Sequence, residues 1–96
     1  MLFMTSLRLA SGPHPPGTLT QELVALEIEH IKKLLASGVI REAWMRNDLV
    51  GIFAVFEAAG EAECSGVIAM LPFACAGVLE VDMLVSMDRY LDVYCC

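Results

Sequence analysis

Glu27 is the residue whose type and surroundings point most directly to chemistry. Its neighbours at helical spacing are Leu23, Val24, Ile31 and Leu34, with Ile28 alongside, so its carboxylate belongs to an apolar stripe. A carboxylate drawn out of water keeps its proton to higher pH, and a base poised near neutrality suits proton abstraction from carbon. The structural alternative is a carboxylate at the stripe edge, paired with Arg8 or Arg41. Arg41 is the second catalytic candidate, as a fork for a substrate carboxylate; otherwise it is a structural partner of Glu27 or Glu80. Trp44 offers a flat wall for a bound molecule, or packs. Simple alternation puts Arg41 and Trp44 on opposite strand faces. Both reach one pocket only if the strand is bulged or the pocket spans two subunits.

Three further residues are candidate substrate contacts or their neighbours. Glu80 and Asp82, two apart in an apolar run, share a face and form either an acid/base pair or carboxylates turned to solvent or a partner. Cys75, just ahead of that run, contacts substrate or acts as a small apolar filler. His30 flanks the stripe as a boundary residue, and His14 sits in a proline-rich loop. The histidines and the four cysteines have no metal-ligand spacing, so no metal and no cofactor are expected.

The elements that must position these groups are legible in outline. Met1 to Ala10 reads as a strand, with Phe3, Thr5, Leu7 and Leu9 on one face and Leu2, Met4, Ser6 and Arg8 on the other. Ser11 to Gly17, rich in proline and glycine, is a loop. Thr18 with Gln21 fits a capping box, and the helix it opens runs to about Ser37, closed by Gly38. Val39–Arg46 and Val50–Ala58 are strands joined at Asn47-Asp48. The second of these is apolar on both faces. A helix follows from about Glu61 to Met70 and is stopped by Pro72. Phe73 to Gly77 is a small-residue connection, Val78 to Val85 a last strand, and Ser86 to Cys96 a tail. The order β-α-β-β-α-β is the ferredoxin-like arrangement: an α+β fold with an antiparallel four-stranded sheet and two helices on one face.

Composition narrows the partners. The 96 residues suit a single domain, yet 57% are hydrophobic and mean hydropathy is +0.65. So short a chain cannot bury that much alone. The longest charge-free run, Cys64 to Leu79, holds Ser65, Gly66, Pro72 and Gly77, whereas a spanning helix needs about 20 mostly apolar residues. A membrane is therefore not expected. A net charge of −6 with scattered basic residues argues against nucleic acid. The expectation is a soluble, cytoplasmic homodimer or larger homo-oligomer, paired through the open sheet face, with reduced cysteines.

Set in order from Met1 to Asp82, several short motifs resemble the muconolactone isomerase family. They are Met1-Leu2-Phe3, the helix end at Gly38, Arg41 and Trp44, Val55-Phe56-Glu57, Glu61-Ala62, Leu71-Pro72 and Glu80-Val81-Asp82. Met4 and Glu42 depart from it, standing where that family has histidine. The resemblance implies a dimeric α/β barrel, often built into larger rings, that shifts a proton on an unsaturated lactone in aromatic catabolism without a cofactor. With Glu27 as base and Arg41 on a carboxylate, this is the primary expectation. The alternatives are a cofactor-free monooxygenase of the dimeric α/β barrel type, or a non-enzymatic module that binds a small ligand or assembles.

Overall fold

The computed structural model describes residues 1–10 and 19–94. Its elements are β1 (Leu2–Leu9), α1 (Gln21–Ser37), β2 (Ile40–Met45), β3 (Gly51–Glu57), α2 (Glu61–Ala69), α3 (Pro72–Cys75), β4 (Leu79–Met87) and α4 (Tyr90–Tyr94). The strands form one sheet in the order β2-β3-β1-β4, and each neighbouring pair is antiparallel. This is the ferredoxin-like α+β fold that the element order implies.

The inner sheet face carries Phe3, Thr5 and Leu7 of β1, whose partners on β3 are Phe56, Ala54 and Ile52. Phe3, Leu7, Ala54 and Phe56 are buried and join Ile40, Cys64, Ile68 and Leu71 in one core, against which Ile31 and Leu34 of α1 pack. Thr5 is tolerated in this layer because its hydroxyl donates to the Ala54 carbonyl at 2.9 Å, so no polar atom is stranded.

The cap of α1 differs from the expected one. Thr20, not Thr18, is the N-cap, its hydroxyl accepting from the Leu23 N–H at 3.1 Å; Thr18 and the loop from Ser11 lie outside the described residues. Gly38 closes the helix with φ of 82°, its N–H reaching the Leu35 carbonyl, a left-handed position that favours glycine. Two segments assigned no regular structure from the sequence are helical. Pro72 ends α2 but also opens α3, because proline suits a first helical position, and α4 forms within the tail.

Two bulges interrupt the alternation. Ile40 pairs with Phe56 and Glu42 with Val55, so Arg41 is the extra residue of β2. Ser6 pairs with Met83 and Leu7 with Val81, so Asp82 is the extra residue of β4. A bulge re-aims the side chain it inserts. Arg41 meets Glu57 at 3.5 Å. Asp82 approaches Arg46 at 3.4 Å.

Arg46 anchors a polar cluster on the outer sheet face. It donates to both Asp48 carboxylate oxygens, at 2.9 and 2.6 Å, and to the Ser6 hydroxyl at 2.8 Å. Its guanidinium lies 4.8 Å from the centre of the Phe53 ring, within cation–π range. The Arg46 hydrogen bond holds the Asp48 carboxyl below its ordinary range. Ser6 and then Arg46 do the same for Asp82. The cluster ties the β2–β3 hairpin to β1 and β4.

Elsewhere the outer face is bare. Phe53 remains 38% exposed and Val85 52%. No helix among the described residues is long and apolar enough to cross a membrane. Cys64 is buried and Cys75 exposed, both as free thiols.

Gly51, opposite Arg8, is a position where only glycine fits. A Cβ there would lie 2.6 Å from the Leu7 carbonyl oxygen and 3.1 Å from the Arg8 Cα, and backbone cannot step aside as a flexible side chain can. Gly51→Ala is expected to destabilise the fold by about 1–3 kcal/mol. The melting temperature should fall by about 5–15 °C in a thermal scan. An unchanged melting temperature would show that β1 and β3 separate freely at this point.

Candidate active-site cavity

The apolar stripe of α1 does not lie flat on the sheet. Leu23, Glu27, Ile31 and Leu34 turn inward, while Val24, Ile28 and Leu35 stay exposed. Beneath the helix, Ala43, paired with Ala54 on the inner face, offers almost no side-chain volume. The space left is a cavity of about 430 Å³, walled by α1, β1, β2, β3, Phe73 and Leu79. Its size suits a small organic molecule. Most of its walls are apolar, and its charged side chains are those of Glu27 and Lys32; Arg8 borders it on β1 but follows inward-facing Leu7 and so belongs to the outer face with Ser6.

Glu27 is half-buried at this wall. Its Oε1 accepts a hydrogen bond from the Phe73 N–H at 3.1 Å. Pro72 has no N–H, so Phe73 supplies the first free donor of α3, and a carboxylate from another helix caps it. Burial pushes the Glu27 carboxyl above its usual value of 4.5, outweighing the opposing pull of the Phe73 hydrogen bond and of His30 one turn along. The partner is thus a backbone N–H, not Arg8 or Arg41.

The other sequence candidates separate. Trp44 stands between the cavity residues Ala43 and Met45, but it pairs with Phe53 of the outer sheet face and is 63% exposed, so its ring is directed away from α1. Arg41 does not: its bulged position sends it to Glu57, which also meets the chain's amino group at 3.4 Å. Glu80 stands across the ladder from Arg8, while Asp82 is taken up by Arg46, so the two make no acid/base pair. Neither lines the cavity. Cys75 is exposed, its thiol directed at the Ala69 carbonyl, and it too lies outside. His30 influences Glu27 only through its charge, and His14 is outside the described residues.

Lys32 is a wall residue that nothing in the sequence marks as a ligand contact, because the cavity exists only where α1 lifts from the sheet. Arg41→Gln should accordingly cost less than about 1 kcal/mol, as expected for an exposed pair. Equilibrium denaturation measures this, and a larger loss would mean that the Glu57 pair secures the β2 bulge.

Fold and cavity together define an α+β protein of ferredoxin-like topology with a carboxylate set in a small apolar chamber. Among solved structures, a muconolactone isomerase crystal structure at 3.3 Å resolution is similar at 19% identity, covering 94% of this chain and 91% of that one with a TM-score of 0.76. A 5-chloro-2-hydroxyhydroquinone dehydrochlorinase (TftG) from Burkholderia phenoliruptrix AC1100, in complex with 2,5-dihydroxybenzoquinone, is similar at 20% identity. That match covers 93% of this chain and 95% of that one with a TM-score of 0.64. No family model matches the sequence, and no curated protein does. The likeness is one of fold.

Proposed function

We propose that the protein is a cofactor-free isomerase that shifts a proton between carbons of a small unsaturated lactone, as a muconolactone isomerase does, with Glu27 as the proton carrier. One observation carries this reading: a half-buried carboxylate with a raised pKa, fixed by a backbone N–H, opens on a mostly apolar cavity of small-molecule size. Ionised Glu27 takes a proton from the saturated ring carbon beside the double bond. The electron pair moves into the ring and onto the lactone carbonyl, giving a dienolate. Protonated Glu27 then returns the proton to the carbon next to that carbonyl. The double bond has moved by one position, Glu27 is regenerated, and nothing is oxidised or reduced. Phe73 fixes Oε1, so Oε2 is the oxygen that carries the proton. The aliphatic wall of Leu7, Leu9, Ile31 and Ile52 excludes water, which strengthens each polar interaction inside.

In this reading the working unit is a homodimer or larger assembly paired through the bare outer sheet face, where Phe53 and Val85 lie. Its partners are a small molecule and copies of itself. Incubation with muconolactone, followed by the ultraviolet absorbance of the conjugated lactone, tests the activity. The expected result is enzyme-dependent loss of that absorbance without added cofactor or metal. No loss above the uncatalysed rate would remove this substrate from the reading.

A further inference from the structure

We propose that the free edge of β2 is a second interface between copies of this chain, pairing antiparallel with the β2 edge of another copy about a two-fold axis at Trp44, so that the partner's Met45 closes the open side of the cavity beside Ala43. The contact is separate from pairing through the outer sheet face and does not depend on the isomerase reading.

β2 and β4 are the two edges of the sheet, and they are unlike. The β4 edge is broken by the bulge at Asp82 and carries Glu80 as well, devices that keep an edge from pairing. The β2 bulge lies at Arg41. From Glu42 to Met45 the strand then pairs regularly with β3 and contains neither lysine nor proline. Ala43, Trp44 and Met45 are all exposed. An exposed, regular, largely apolar edge is a template for another strand.

The hydrogen-bond phase fixes how two such edges can meet. The Arg46 N–H donates to the Gly51 carbonyl at 2.9 Å. Bonding alternates along an antiparallel pair, so Glu42, Trp44 and Arg46 turn their backbone groups to β3, and Ala43 and Met45 turn theirs outward. Odd positions must therefore meet odd positions across the join. Centred on Trp44, the register sets Ala43 against the partner's Met45 and uses the whole run from Glu42 to Arg46. A shift of one residue runs into the Arg41 bulge in one direction and into the bend after Arg46 in the other.

The side chains agree with that register. On the inner face a small residue meets a large one, Ala43 beside the partner's Met45. Both positions border the cavity where β2 ends the sheet, so each copy lends the other a wall. On the outer face Trp44 meets its own copy, an aromatic pair of the kind that stabilises neighbouring strands. Glu42 stands opposite the partner's Arg46, so no like charges face each other. About four backbone hydrogen bonds make the join. So short a ladder gathers copies at high concentration and does not hold single chains together at micromolar concentration.

The test is a disulfide at the axis. Trp44 and its copy form a pair without mutual hydrogen bonds, whose Cα atoms lie about 4.5 Å apart, within disulfide reach. Position 42 faces position 46 instead and lies about 13 Å from its own copy. On oxidation at high micromolar concentration, Trp44→Cys is expected to give a disulfide between two copies of position 44, identified by peptide mass. It should form at least about tenfold faster than the matching disulfide of Glu42→Cys. Ala43→Pro removes an outward N–H and no bond to β3, a change that an edge strand tolerates. Added to Trp44→Cys, it should slow the cross-link to the Glu42→Cys level with unchanged far-ultraviolet circular dichroism. Val85→Asp, on the outer face, should leave the cross-link in place.

Equal rates for Trp44→Cys and Glu42→Cys overturn the proposal, as does a cross-link that a folded Ala43→Pro protein retains in full. Loss of the cross-link in Val85→Asp also overturns it, by assigning the contact to the outer face. If Ala43→Pro fails to fold, the comparison of the two cysteine variants, with and without Val85→Asp, decides alone.

Discussion

Glu27→Gln is expected to lower kcat/KM on an isomerisable lactone by about a hundred- to ten-thousand-fold, the range for removing a general base, while the protein folds and assembles as before. The structural half of that expectation follows from the bond to Phe73. A glutamine carbonyl accepts the same N–H, so the link between α1 and α3 at 3.1 Å survives while the proton carrier is lost. Glu27→Leu removes both. It frees the cavity wall of a desolvated carboxylate but leaves the Phe73 N–H without its acceptor. These effects oppose each other, and stability should change by about 1 kcal/mol or less. Full activity in Glu27→Gln on a substrate that the wild type turns over would end the proton-carrier role.

The pH dependence has a definite sign. The proposed mechanism requires ionised Glu27, and burial raises its pKa above 4.5, so activity should fall with decreasing pH on a limb displaced upward from that of an ordinary glutamate. Stability runs the other way. A folded-state pKa above the unfolded one favours the protonated, folded protein. Glu27's contribution is present below the unfolded value and is lost as pH rises through the folded value. Glu27→Gln should therefore gain melting temperature relative to wild type on going from acid to neutral pH. A constant difference across that range would mean that Glu27 is solvated in the folded state.

What the sequence made legible was whatever depends on local period and punctuation. The alternation of β1, the glycine that closes α1, the proline that ends α2 and the stripe that carries Glu27 all sit in the fold as their spacing requires. What stayed hidden was whatever depends on a departure from period. The extra residue at Asp82 breaks the alternation that paired Glu80 with Asp82, and the extra residue at Arg41, the kind of bulge on which a pocket shared with Trp44 depended, turns Arg41 to Glu57 instead. No propensity marks a bulge in so short a strand. The cavity was hidden for a related reason. A helical stripe says which side of α1 is apolar, not how closely the helix approaches the sheet. The room beneath it depends on small residues of other strands such as Ala43 and Ala54, whose smallness has meaning only after the sheet is assembled. Thr20 instead of Thr18 as the cap is a lesser case, since both are threonines and the choice falls to where the chain leaves the preceding loop.

Val85→Asp is expected to turn the assembled protein into a folded monomer. Val85 stands opposite Met4 on the outer sheet face and is 52% exposed in a single chain, so a carboxylate there is hydrated and harmless to the isolated fold. The face around it is not built for water. Phe53 and Val55 share it on β3, Met83 on β4 and Met4 on β1, an apolar surface of the kind that marks an interface. Arg46, its charge already met by Asp48 and Asp82 and only 12% exposed, does not stand in the way of sheet-to-sheet packing. Pressing an unpaired carboxylate into such an interface costs on the order of several kcal/mol. In a two-fold dimer the substitution occurs on both sides, so the dissociation constant should rise by at least about a thousandfold. Sedimentation velocity at micromolar concentration should find the wild type as a dimer or larger and Val85→Asp as a monomer with unchanged far-ultraviolet circular dichroism. A wild type that sediments as a monomer, or a variant that sediments with it as an oligomer, would mean that the outer face is not where the copies meet.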